Sequence, residues 1–140
     1  MWPRVDGMRT LELGTPGAMR EELTALVVAG VKTATAGTLE EYQLETEGLE
    51  YVGERLAVLG NDGRVAATVA VTAVETVPFA EVSWEFAQAE GEGFTSVEHW
   101  RSAHRRYWQR TGTPVDDDSP VVLVSFRLVD GAGDDAPPQR

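Results

Sequence analysis

The stretch ERLAVLG-NDG-RVAATVAVTAVETV limits the possible folds more than any other part of the chain. Two apolar, β-branched runs flank Asn61, Asp62 and Gly63, residues that tolerate the left-handed conformations of a hairpin turn. In the second run Val65, Ala67, Val69, Val71 and Ala73 alternate onto one strand face, the period of a half-buried strand. A long hairpin is therefore expected, followed near the C-terminus by a closing strand, SPVVLVSFRLV.

Helical patterns surround these strands. GTPGAMREELTALVVAG carries Thr15 as a cap, Pro16 at the first helical position and Gly30 as a stop, with Met19, Leu23, Leu26 and Val27 on one apolar face. TLEEYQLETEG reads as a shorter helix in which Thr38 and Glu41 have capping-box spacing. In PFAEVSWEFAQAE, Phe79, Val82 and Phe86 have helical spacing, and GEG ends the run. TSVEHWRSAHRRYWQRTG is the last helix, with Thr95 and Glu98 at capping-box spacing and a stripe of Val97, Trp100, His104 and Tyr107 or Trp108. The first ten residues look loosely structured. Residues 130–140 are expected to form a disordered acidic tail. The order of elements predicts one α+β domain over residues 1–129, built on an antiparallel sheet or small barrel rather than βαβ winding.

Composition removes several classes of function. The 140 residues include no cysteine, which excludes disulfides, thiolate zinc sites and cysteine nucleophiles. No apolar run approaches bilayer-spanning length, so no membrane partner is expected and a cytoplasmic location is the default. The net charge is −11, and the three Asp and one Arg of the last eleven residues account for only −2 of it. An acidic body disfavours general attraction to long nucleic acid and favours a small or neutral substrate, unless a local basic patch meets a polyanion.

Three places can carry chemistry. Lys32, in GVKTAT, is the only lysine among twelve basic residues; arginine stays charged near neutral pH, whereas lysine can lose its proton in a suitable site. QAEGEG places Glu90 and Glu92 at a helix end among glycines that let backbone approach a ligand, and it equally reads as a plain helix stop. The last helix combines Arg101, Arg105, Arg106 and Arg110 with Trp100, Tyr107 and Trp108, either a solvated face over a core side or a base-stacking and phosphate-contacting surface. His99 and His104 stand five apart, so they do not share a helix face as a metal pair would; no metal and no cofactor is expected. His104, on the apolar stripe, is either a packed histidine or a substrate contact.

The blocks LELGTPGAMREELTALVVAGVKTATAG, LEEY, VPFAEVSWEFAQAEGEG, HWRSAHRRYW and SPVVLVSFRLV occur in the order seen in ASCH-domain proteins. From about Leu11 to Val129 the chain resembles that family, whose G-x-K-x-x-T signature falls on Gly30, Lys32 and Thr35. The resemblance implies a PUA-like fold, a small antiparallel β-barrel with surrounding helices and a cleft. It also implies RNA-related roles: an amidohydrolase that removes the acyl group from the exocyclic amine of a cytidine such as N(4)-acetylcytidine, a ribonuclease acting on single-stranded RNA, or an RNA-binding module without chemistry. In the amidohydrolases a lysine, a threonine and a glutamate form the active site. They carry over onto Lys32, Thr35 and Glu90, with Glu92 as rival. Tyr42, Glu92, Arg101, His104 and Arg105 are the candidate substrate contacts. Val124 or Ser125 stands where the family often has an acidic residue, so substrate choice is expected to differ.

Amide hydrolysis needs a nucleophile, an oxyanion stabiliser and an acid for the leaving amine. Burial would lower the pKa of Lys32 and let it act as a base, whereas an ionised Glu90 beside it would keep it charged. Side chains three apart on a flat strand point to opposite faces, so Lys32 and Thr35 meet only if VKTAT turns or bulges.

Overall fold

The long hairpin forms the centre of the sheet in this computed structural model, which describes residues 1–129. Strands β4 (Arg55–Leu59) and β5 (Val65–Pro78) pair antiparallel, with Leu56 opposite Val69. The turn closes as Gly63, at φ 76°, donates its N–H to the Gly60 carbonyl at 3.0 Å. β6 (Pro120–Val129) pairs over its whole length with β5 from Thr68 to Pro78, and β3 (Ala34–Thr38) pairs with β6. On the other side β2 (Met8–Glu12) joins β4, and β1 (Arg4–Val5) forms the outer strand. The six strands lie in the order β1-β2-β4-β5-β6-β3, with helices α1 (Ala18–Val28), α2 (Leu39–Leu44), α3 (Trp84–Ala89) and α4 (Val97–Thr111) around them.

The α+β class agrees with the sequence pattern. Two features depart from a closed antiparallel barrel: β2 and β4 are parallel, and β1 and β3 end the order without pairing. The first ten residues are not loose. They form β1 and the start of β2, and Arg9 is buried there.

Several local expectations are corrected. Thr15 does not cap α1; the helix begins after Gly17, whose N–H is taken by the Asn61 side chain at 2.9 Å, tying the hairpin turn to the helix start. Phe79 to Phe86 is not one helix. A 3-10 turn over Phe79–Glu81 gives way to extended Val82, and α3 restarts where Ser83 accepts the Phe86 N–H. Ser96, not Thr95, caps α4 by accepting the His99 N–H at 3.0 Å. Thr38 and Glu41 do form the expected capping box. On β5 the alternation holds at Ala67, Val69 and Val71 and fails at both ends, at Val65, which is exposed, and at exposed Ala73, where the register with β6 shifts between Val71 and Ala73. A bulge re-aims a strand in this way, and Val74 packs on the core instead. The tail beyond residue 129 lies outside the described residues.

Two apolar clusters hold the fold. One packs Leu23 and Val27 of α1 and Tyr42 of α2 on Leu56, Val58, Val69, Val71, Val122, Val124 and Phe126. The other packs Trp100 and Trp108 of α4 on Phe79, Val82, Ala87, Val121 and Leu123. Each fully buried aromatic ring contributes roughly 1.5–3 kcal/mol of transfer free energy, so the second cluster fixes α4, and with it His104, firmly on the sheet.

Candidate active site

The chain leaves α1 through Gly30, at φ 77°. The N–H groups of Val31 and Lys32 both donate to the Leu26 carbonyl, at 2.9 and 3.1 Å, turning the backbone off the helix. The Thr33 N–H and hydroxyl then donate to the Ala89 carbonyl, at 2.9 and 3.2 Å. Two segments far apart in sequence are thus laced together, residues 31–33 and 89–91. Gly91, at φ 69°, is needed where they cross: a Cβ there would lie 2.4 Å from the Val31 carbonyl oxygen.

This lacing brings Lys32 to both carboxylates. Its side chain is 2% exposed, and Nζ donates to Glu90 Oε1 at 3.0 Å and to Glu92 Oε2 at 2.6 Å. Glu90 is held at its other end as well, where Oε2 accepts the Trp100 Nε1–H at 2.9 Å. Burial alone would lower the Lys32 pKa, but the charges and hydrogen bonds of Glu90 and Glu92 outweigh it, and the pKa is raised. Lys32 is therefore a charged ammonium. Glu92 is pushed up mainly by burial and further by Glu90, with Lys32 opposing, so it has a raised affinity for a proton.

His104 sits beside this triangle. Its Nδ1 lies 3.0 Å from the Trp100 carbonyl oxygen, which can only accept, so Nδ1 carries the hydrogen in the neutral ring. The ring stacks on Trp100 with centroids 4.0 Å apart. Burial lowers its pKa to about 4, leaving Nε2 without a proton near neutral pH, 3.5 Å from Glu90 Oε2.

Lys32, Thr35, Glu90, Glu92, His104 and Tyr42 all line one cavity of about 390 Å³. It lies between walls contributed by β2 and β3, from near the two edges of the sheet, roofed by residues of α1, α2 and α4. The turn over residues 31–33 precedes β3, which is how both Lys32 and Thr35 reach the same space. The Thr35 hydroxyl makes no hydrogen bond among the described residues. Val124, opposite Thr35 on β6, also lines the cavity.

Arg101 and Arg105, expected as substrate contacts, do not line it. Arg101 donates to the Ala80 and Val82 carbonyls and pairs with Glu98. Arg105 lies over the Phe79 ring, 5.1 Å from its centroid, and 3.6 Å from Asp117. Trp100, read as a possible stacking platform, is fully buried. Sequence reasoning missed Glu12, Arg20 and Glu50, which also face the cavity. Five carboxylates, Glu12, Glu41, Glu50, Glu90 and Glu92, line it with two cations. Both cations have partners: Lys32 as above, and Arg20 with Glu12 at 3.2 Å and the Leu13 and Gly14 carbonyls. Among the described residues no group of three or more His, Cys, Asp or Glu is arranged to hold a metal ion, and no helix is long and apolar enough to cross a membrane.

A curled mixed sheet enclosing such a cavity is the architecture of an ASCH-type domain. The ASCH domain model matches residues 10–130, and the chain belongs to the ASCH family, which is associated with RNA-related hydrolase or binding roles. A crystal structure of protein EF3133 from Enterococcus faecalis V583 is 32% identical with a TM-score of 0.76, covering 86% of this chain and 76% of that one. An ASCH domain from Lactobacillus crispatus JV V101 is 25% identical with a TM-score of 0.74, covering 85% and 77%. An ASCH protein from Zymomonas mobilis shares the fold at 12% identity and a TM-score of 0.55, covering 84% and 67%. No curated protein matches the chain.

Proposed function

We propose that the protein is an amidohydrolase that removes the acyl group from the exocyclic amine of an N(4)-acylcytidine nucleoside. The observation that carries this reading is the charged Lys32 held by Glu90 and Glu92 in the same cavity as the unengaged Thr35 hydroxyl. An ammonium has three N–H donors. Two are used by the carboxylates, and the third is available for an acyl oxygen, where negative charge develops during attack. The Thr35 hydroxyl attacks the acyl carbon, and its proton passes to Glu92, whose raised pKa suits it as acceptor. Collapse breaks the C–N bond as Glu92 returns that proton to the leaving amine. Water then repeats the sequence on the acyl-threonine, releasing the acid.

Glu90, 1% exposed and bonded at both oxygens, is a positioning residue. Glu92, with a more exposed side chain at 17%, is the better proton carrier, so the role first given to Glu90 passes to its neighbour. The direction of the Lys32 shift argues against a lysine that sheds its proton. The cavity volume falls within the roughly 300–1,000 Å³ of ligand pockets, and both its cations are already paired with carboxylates, which disfavours a phosphate. That favours a nucleoside over an RNA strand.

The test is incubation of the pure protein with N(4)-acetylcytidine and, separately, with single-stranded RNA. The expected result is cytidine and acetate from the first and intact RNA from the second. Thr35→Val should lower turnover by about 10²-fold or more. RNA cleavage without nucleoside turnover would replace this reading with the ribonuclease, and RNA binding without either reaction with the binding module.

A further inference from the structure

The cavity lining also holds a carboxylate that the hydrolytic steps do not use. Glu50 is 8% exposed. Its Oε1 accepts the Tyr42 hydroxyl at 2.7 Å. Among the described residues its Oε2 has no partner nearer than Arg9 Nη1 at 3.9 Å, beyond hydrogen-bond reach. Arg9 is engaged elsewhere: Nη1 donates to the Gly48 carbonyl, and Nε lies 3.3 Å from Glu54. A carboxylate has about four acceptor positions, and Glu50, almost wholly buried, has one direct donor. Burial and Glu50 itself push the Tyr42 phenol far above its ordinary range, so its hydroxyl remains a donor. Oε2 is thus an acceptor awaiting donors from whatever fills the cavity.

We infer that the Tyr42–Glu50 end of the cavity is a subsite for a vicinal diol, the ribose 2′- and 3′-hydroxyls of the nucleoside. The inference rests on the nucleoside reading above. A diol supplies two O–H donors that fit one carboxylate, the pairing by which acidic side chains hold ribose in nucleotide-binding folds. Trp2, edge-on to Tyr42 with centroids 5.1 Å apart, adds an aromatic flank beside the site for the C–H face of a sugar. The placement suits the molecule's length. β3 carries the chain from Thr35 to Thr38, three strand steps of about 3.3 Å each, and α2 begins there with Tyr42 in its second turn. Ala36 and Gly37 line the cavity between Thr35 and Tyr42, so a nucleoside whose acyl group meets Thr35 has a continuous wall along which its ribose can reach the Tyr42–Glu50 pair. A phosphate is disfavoured at this wall, where Glu12 and Glu41 also stand.

The experiment measures equilibrium binding of cytidine, 2′-deoxycytidine and 3′-deoxycytidine by calorimetry. These are products or product analogues, so binding is read without turnover. Cytidine should bind about tenfold or more tighter than either deoxy form. Glu50→Gln and Tyr42→Phe should each shrink that ratio toward one. Equal binding of the three nucleosides to the unaltered protein would overturn the diol subsite and leave the nucleoside reading standing. Binding of none of them would overturn both.

Discussion

Two buried charge clusters have the same composition, one cation between two carboxylates, but Lys32, Glu90 and Glu92 all line the cavity, whereas of Arg9, Glu50 and Glu54 only Glu50 does. In the first, Lys32 bonds directly to Glu90 and Glu92 at 3.0 and 2.6 Å. In the second, Arg9 lies 3.3 Å from Glu54 and 3.9 Å from Glu50, and gives its best hydrogen bond to a backbone carbonyl. The contrast explains why one basic residue in this chain is lysine. A compact ammonium fits between two carboxylates and keeps a third donor, whereas a planar guanidinium spreads its donors over a carbonyl and a distant acid. The lysine cluster is closed on itself with one donor to spare. The arginine cluster leaves an acceptor open. In the proposed function the lysine cluster stabilises developing negative charge and the open Glu50 oxygen receives hydroxyl protons.

The sharpest way to break this comparison is to remove each cation. Lys32→Met leaves two buried carboxylates facing each other and should cost about 3–5 kcal/mol, read as a large fall in Tm. Arg9→Met should cost less, because its carboxylates are held more loosely. Equal losses would show that the two clusters are energetically alike.

The glycines beside the clusters sharpen it further. Gly91→Ala meets the Val31 carbonyl at 2.4 Å in a left-handed backbone and should cost about 1–3 kcal/mol, with activity falling as the lacing opens. A Cβ at Gly48, whose carbonyl serves Arg9, would meet nothing within 4 Å, and Gly48→Ala should change stability by no more than about 0.5 kcal/mol. Thermal melts of the two variants decide this.

An effect that appears only on acidification is expected with pH. The folded state holds the His104 pKa at about 4, below the ordinary 6.5, chiefly by burial, with the Trp100 carbonyl and Glu92 raising it and Lys32 lowering it. The unfolded chain therefore binds the proton more readily between those values. His104 leaves stability intact above pH 6.5 and weakens it as pH falls toward 4, by up to about 3 kcal/mol. Glu92, raised, acts in the opposite sense over part of that window. The stability difference between the unaltered protein and His104→Gln isolates the histidine, and it should move toward the variant on acidification.

How much of this was legible in the sequence follows from where the information sits. The hairpin, the capping box of α2 and the stripe of α4 are periodic or local signals, and they were readable. β1 and β2 were not. Their buried residues include Arg9 and Thr10, adjacent in sequence, so no apolar alternation marks the strand, and the acids facing Arg9 lie beyond residue 49. The bulge after Val71 escaped for a related reason: Gly53 and Glu54 hydrogen-bond to Val71 from a loop that local pattern does not reveal. Lys32, Thr35, Glu90 and Glu92 were identified through the motif blocks, but which carboxylate is free depended on Trp100, ten residues from Glu90, donating to one of them. Arg101 and Arg105 misled because helical spacing does not reveal that carbonyls, a ring and an acid already engage them.

The central claim is that Glu90 and Glu92 keep Lys32 charged. As the only lysine, it gives a single side-chain signal when the protein is labelled with ¹³C,¹⁵N-lysine, so its titration can be followed by NMR without assignment. The account predicts an ammonium signal unchanged from neutral pH through the ordinary lysine value of 10.5. A Lys32 signal that deprotonates near neutral pH in the folded protein would contradict it and return the lysine to the role of a base.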